Sequence, residues 1–152
     1  MNERFREHVT RIPDLFRELD QQPKVPMVPR TLPEGPAIYV FWEDGAPKHV
    51  GRARKLRQRV RSHQSKGHSA AAFAFKLTRQ ATGRIKATYT TAGSRADLMA
   101  DEAFATAFAE QSTRVKAMLI SHLRVEDPID QYLLELYAAL EYGTSLTEFD
   151  TH

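Results

Sequence analysis

The apolar positions of this chain change period as it proceeds, and the changes mark its elements. Near the N-terminus Phe5, Val9, Ile12, Phe16 and Leu19 keep helical spacing. That predicts helix over 3–21 in one or two pieces, with Pro13 as a break or restart. Pro23, Pro26, Pro29 and Pro33 predict an extended, irregular connection over 22–36. Ile38-Tyr39-Val40-Phe41-Trp42 is dense in β-branched and aromatic side chains, the composition of a half-buried strand. Glu43-Asp44-Gly45 is turn chemistry, and Lys48-His49-Val50-Gly51 fits a short returning strand. From Ala53 onward Leu56, Val60 and His63 fall at i, i+4 and i+7, one inward stripe of a helix. Arg59 and His63 are neighbours beside that stripe.

Downstream, 64–69 reads as a loop and 70–80 as an Ala- and Phe-rich helix (Phe73, Phe75, Leu77) ending near Gly83. Residues 84–91 fit either a short strand or a loop, and 95–111 reads as a helix. Over 113–125, Val115, Ala117 and Leu119 alternate with Arg114, Lys116 and Met118, which predicts a third strand beginning there. His122 on that strand is expected on the sheet surface. Asp127 as N-cap, Pro128 at N1 and Asp130 at N3 open the last helix, and Gly143 closes it. Ile129, Leu133, Leu136, Tyr137 and Leu140 are its expected buried stripe, with Tyr132, Glu135 and Ala139 along the margin. The N-terminal helix is expected to brace the back of the sheet, because its own apolar stripe needs burial. The fold expected is α/β (α+β): a small three-stranded, mainly antiparallel sheet flanked by helices. One domain is expected over 1–152, with 1–34 an N-terminal extension and 35–152 the core.

Composition narrows the chemistry. Among 152 residues, 41% are hydrophobic and 27% charged, and there is no cysteine, which excludes disulfides, thiolate metal sites and a thiol nucleophile. No segment has the length of a membrane span, and MNERFREHVTR carries charges where a signal peptide needs an apolar run. A cytoplasmic location is the expectation. Net charge is only +3, but its distribution is uneven. No Asp or Glu occurs over 45–96, while thirteen of the 22 Lys and Arg residues do. That leaves nine basic against nineteen acidic residues elsewhere. Such segregation predicts a positive face suited to a polyanion.

The stretch 35–63 resembles the GIY-YIG nuclease family. Ala37-Ile38-Tyr39 and His49-Val50-Gly51 stand where that family carries its two tripeptides on paired strands. Gly51-Arg52-Ala53-Arg54-Lys55-Leu56-Arg57-Gln58-Arg59-Val60-Arg61-Ser62-His63 matches the helix that follows, GxAxxLxxRxxxH. The likeness is close over 35–63 and loose to 152. It implies a metal-dependent endonuclease acting on DNA.

Carried over by position, the resemblance makes Tyr39 the first tyrosine, Arg59 the arginine that binds the scissile phosphate, and Glu135 the ligand of Mg²⁺ or Mn²⁺. Glu126 and Glu141 are weaker candidates for the metal. The family's second tyrosine is His49 here, which can replace the phenol, act as the base, or mark a site that no longer cleaves. His63 resembles the histidine of some restriction-enzyme members, and Thr147 stands near the family's late asparagine. Tyr39 as base needs help, since a free phenol titrates near pH 10. Arg52, Arg54, Lys55, Arg57, Arg61 and Lys66 are expected to meet nucleic acid. Two other readings remain open: a catalytically degenerate nucleic-acid-binding module, and an interaction domain whose basic face meets an acidic protein.

Overall fold

The structure, a computed structural model, describes residues 1–67, 70–83 and 95–144. The expected strand or loop at 84–91 and Thr147 lie outside the described residues. By its contacts the chain divides into two compact units. One holds 1–57 and the residues from Met118 onward; the other is Gln58–Ala117.

The first unit is built on β2 (Ala37–Glu43) and β3 (Ala46–Ala53), a hairpin closed by a two-residue turn. Asp44 (φ 52°) and Gly45 (φ 77°) both take positive φ, the geometry whose twist suits two-residue hairpins. Between Phe41 and Trp42 the register shifts, so Lys48 is an extra residue that bulges β3. β4 (Leu119–Arg124) pairs on the other side of β2. A two-residue strand, β1 (Val25–Pro26), adds to the outer edge of β4. The order is β1-β4-β2-β3, with every pair antiparallel. The mixed α/β class and the three-strand centre are as the sequence predicts; β1 is the addition. Pro26 fits there because an edge strand does not need every donor.

Helix α1 (Glu3–Asp20) runs through Pro13 without a break, against the expected break or restart. Pro13 and Val9 both face solvent, where water can take the carbonyl that proline leaves unmatched. α1 braces one face of the sheet together with α6 (Pro128–Tyr142). Ile12 and Leu19 bury there with Ile38, Val40, Trp42, Val50, Val125, Leu134 and Ala138. Phe5 and Val9, which the sequence places on the same stripe, are exposed.

The stripe expected on α6 is rotated. Leu134, Ala138 and Ala139 are buried, Leu133 and Tyr137 only partly, while Leu136 and Leu140 are 43% and 61% exposed. Two polar residues in the first turns fix that rotation. Buried Gln131 donates from Nε2 to the carbonyls of Ala53 (3.2 Å) and Val125 (2.8 Å). Buried Asp130 meets His8 Nδ1 at 2.7 Å and Arg11 Nη2 at 3.3 Å. Asp127 caps α6 as expected, accepting from the N–H groups of Ile129 and Asp130.

The sequence-predicted strand over 113–125 is partly corrected. Residues 113–116 finish helix α5 (Glu102–Lys116), with Ser112 and Val115 buried at helical spacing, and the strand starts only at Leu119. The helix expected over 95–111 is two helices, α4 (Arg95–Ala100) and α5, parted by Asp101. Asp101 takes extended backbone and caps Ala103 and Phe104. Helix α2 (Leu56–His63) starts three residues later than expected, with Leu56, Val60 and His63 buried. In the second unit α3 (Ala72–Thr82) sets Phe75 against Phe104 and Phe108 of α5, at 5.4 and 6.1 Å between ring centroids. No helix among the described residues is long and apolar enough to cross a membrane.

Two stability measurements test this reading. Gln131→Met leaves two buried carbonyls without their donor and lowers stability by about 1–3 kcal/mol, read as a lower urea midpoint at unchanged m. The Asp130 N–H, more than any other group, holds the Asp127 carboxyl below its usual range. A depressed folded-state value stabilises above the ordinary carboxylate range and is lost as pH falls through it. Asp127→Asn keeps a capping oxygen, so it flattens the stability–pH curve on the acid side while changing stability little near neutrality.

Candidate active site

Alternation along β2 separates two kinds of chemistry. Ile38, Val40 and Trp42 face α1 and α6. Ala37, Tyr39 and Phe41 face the other way, between Ala53, Gly51 and His49 of β3 and Arg124, His122 and Ile120 of β4. The titratable rings of the hairpin thus share one face by parity alone. Tyr39, Phe41 and His49 form a tilted cluster, with centroids 5.2 Å (Tyr39–Phe41), 5.3 Å (Phe41–His49) and 5.9 Å (Tyr39–His49) apart. Tyr39 is 1% exposed and His49 6%.

Gly51 is what lets the phenol lie there. Tyr39 and Gly51 are cross-strand partners, and a Cβ on Gly51 would sit 2.3 Å from both Cζ and Oη of Tyr39. The ring therefore reaches across the bare backbone of the edge strand instead of standing upright from the sheet. His122, the partner of Tyr39 on β4, is half-buried on the same face, and burial lowers its pKa.

Glu135 comes to the same edge strand from the other face. Its side chain is 14% exposed and lies 3.5 Å from Nε of Arg52, whose register partner is Ile38 on the α6 side. The Arg52 guanidinium also stacks 3.9 Å above the ring of exposed Tyr132. Tyr39 and Glu135 thus approach consecutive residues of β3, Gly51 and Arg52, from opposite faces. The structure gathers Tyr39 with His49, and Glu135 with Arg52. Arg59 and His63 stand on α2 in the second unit, Arg59 half-buried and His63 wholly buried.

The basic residues sort by exposure. Arg54, Lys55, Arg61 and Lys66 are exposed, as a polyanion contact requires. Arg57 is committed inward: Nε and Nη2 donate to the Leu32 carbonyl (3.1 and 2.8 Å) and Nη1 to Glu34 (2.8 Å). Arg79, within the acid-free stretch, is buried with its guanidinium 4.9 Å above the Phe75 ring.

Glu135 fits Mg²⁺ or Mn²⁺ by donor chemistry. One carboxylate plus waters and substrate oxygens suffices for Mg²⁺, and the contact to Arg52 is longer than a charge-assisted hydrogen bond. Glu126 instead pairs with Arg124 at 2.8 Å on the exposed surface. A second group, His8, Asp127 and Asp130, brings three ligand atoms within 4.8 Å of one another. Its cation is already Arg11, and the Asp127 oxygen serves the helix cap, so it ties α1 to α6. The sequence carries no signal for it, because His8 and Asp130 lie 122 positions apart. The Gln131–Ala53 hydrogen bond and the Arg52–Tyr132 stack carry no sequence signal for the same reason.

No protein-family model, curated protein or solved structure matches this chain.

The Tyr39–Gly51 contact is testable by a double-mutant cycle. Gly51→Ala alone overpacks the site and lowers stability by about 1–3 kcal/mol. In a Tyr39→Ala background the same change costs far less, since the new methyl meets no ring. Equal costs in the two backgrounds mean that the ring does not rest on Gly51.

Proposed function

We propose that this chain is a metal-dependent endonuclease that hydrolyses phosphodiester bonds in DNA, of the GIY-YIG type that residues 35–63 resemble. The observation that carries this reading is the phenol of Tyr39 laid over Gly51, with His49 in the same ring cluster. It gives the two motif tripeptides a joint purpose, because only glycine at 51 lets a residue at 39 reach the strand edge. The hairpin and the third strand beside it support the fold that the resemblance implies.

In this reading a water attacks phosphorus, its new P–O bond forming as the bond to the leaving oxygen breaks. Tyr39 or His49 takes the proton from that water. The resemblance assigns to Arg59 the planar fork of donors that meets the phosphoryl oxygens. Glu135 would hold the divalent ion, which supplies charge stabilisation at the leaving oxygen. Arg54, Lys55, Arg61 and Lys66 hold the flanking backbone, and sequence selectivity is left to other groups. The cytoplasm is the compartment proposed for such an activity.

One observation favours a second reading. Tyr39 and His49 are almost wholly buried, as in a module that keeps the fold and the basic residues but has lost turnover. Plasmid nicking separates the two. The nuclease nicks supercoiled DNA with Mg²⁺ or Mn²⁺ and not with chelator present. Glu135→Gln and the double variant Tyr39→Phe/His49→Ala each slow it by about 100-fold or more. Binding without any metal-dependent nicking assigns the module instead, and both readings expect affinity to fall steeply with salt.

A further inference from the structure

Arg52 is held from two sides on α6. Its Nε lies 3.5 Å from Oε1 of Glu135, and its guanidinium stacks on Tyr132 at 3.9 Å. The two contacts differ in kind. The stack is indifferent to what binds nearby, whereas the carboxylate is the group that a divalent ion would take. The 3.5 Å separation is that of an ion pair, beyond the range of a tight charge-assisted hydrogen bond. Arg52 is about one-third exposed by its side chain, so its free donors have access to solvent. It also directly follows Gly51, the residue under the Tyr39 phenol.

We infer that Arg52 is an exchangeable counterion of Glu135, resting on the foregoing nuclease reading. In the metal-free protein Arg52 neutralises Glu135. A divalent ion bound by Glu135 displaces it, and Tyr132 keeps the freed guanidinium at the strand edge, where it binds a substrate phosphate. Metal and arginine therefore compete for one carboxylate, and loading the metal creates a phosphate-binding group next to Gly51. Arg52 is thereby a phosphate-binding residue whose availability depends on the metal.

The test reads metal and DNA affinity instead of turnover. Mn²⁺ binding is followed by electron paramagnetic resonance in the unaltered chain, Arg52→Ala, Arg52→Lys, Arg54→Ala and Glu135→Gln, each checked for folding by circular dichroism. Arg52→Ala tightens Mn²⁺ about three- to tenfold by removing the competitor. Arg52→Lys stays near the unaltered value. Arg54→Ala, which removes an equal charge from an exposed neighbour, changes it less than about twofold. In chelator, Glu135→Gln frees Arg52 and tightens binding of a short DNA duplex, and this gain disappears in an Arg52→Ala background. If Glu135→Gln abolishes Mn²⁺ binding while Arg52→Ala matches Arg54→Ala, the counterion role is overturned and the nuclease reading stands. If the DNA gain persists without Arg52, the freed-guanidinium step is overturned. If Glu135→Gln leaves Mn²⁺ binding unchanged, both readings fall.

Discussion

A tyrosine ring resting on a glycine organises the first unit of this protein. The contact needs Tyr39 and Gly51 in register on neighbouring strands, which the two-residue turn at Asp44-Gly45 and the bulge at Lys48 secure. It also needs β3 to be an edge strand, so that a ring crossing it ends at a boundary of the sheet. A one-residue slip would send Tyr39 into the apolar layer beneath α1 and α6 and place Ile38 or Val40 on the chemical face. Apolar burial on one face thus protects ring placement on the other. The same Ile38, Val40 and Val50 that anchor the core fix which way Tyr39 and His49 point.

What was legible in the sequence follows how local each signal is. The hairpin, the inward stripe of α2 and both ends of α6 were readable because turn residues, caps and periodicity act within a few positions. Asp127 caps α6, and Gly143 closes it with φ 68°. The continuity of α1 through Pro13 was not readable, since it depends on which side of the helix the sheet covers. The start of β4 was misread because polar and apolar residues over 114–117 alternate by coincidence at the end of a helix. α6 offered too many leucines for periodicity alone to select a face. The selection came from Asp130 and Gln131, polar residues whose partners His8 and Ala53 are distant in sequence.

The candidate site divides in the same way. Tyr39, His49 and Gly51 lie on one hairpin, so their association could be read from motif spacing. Glu135 could be named from its place in the late helix, but its partner could not. Arg52 looked like one more cation of a basic segment, equivalent to Arg54 or Arg57. The structure gives those three arginines different roles: one on a carboxylate and a tyrosine ring, one in solvent, and one on the Leu32 carbonyl. Charge counting along the chain cannot make that distinction, because it depends on which acceptors the fold brings within reach.

This distinction bears on how basic side chains and the carboxylate proposed to hold a metal coexist at one strand edge. Without a cation beside it, a largely buried carboxylate such as Glu135 bears an uncompensated desolvation cost. With a cation fixed too tightly, it would be unavailable to a metal. In the proposed role Arg52 meets both demands because its contact is an ion pair at 3.5 Å on a side chain that also stacks on Tyr132. A lysine there would lack the flat face that stacks on Tyr132, and a shorter, doubly hydrogen-bonded pair would cost more to open. The 3.5 Å contact to Arg52 is therefore one that such a carboxylate could exchange for another cation.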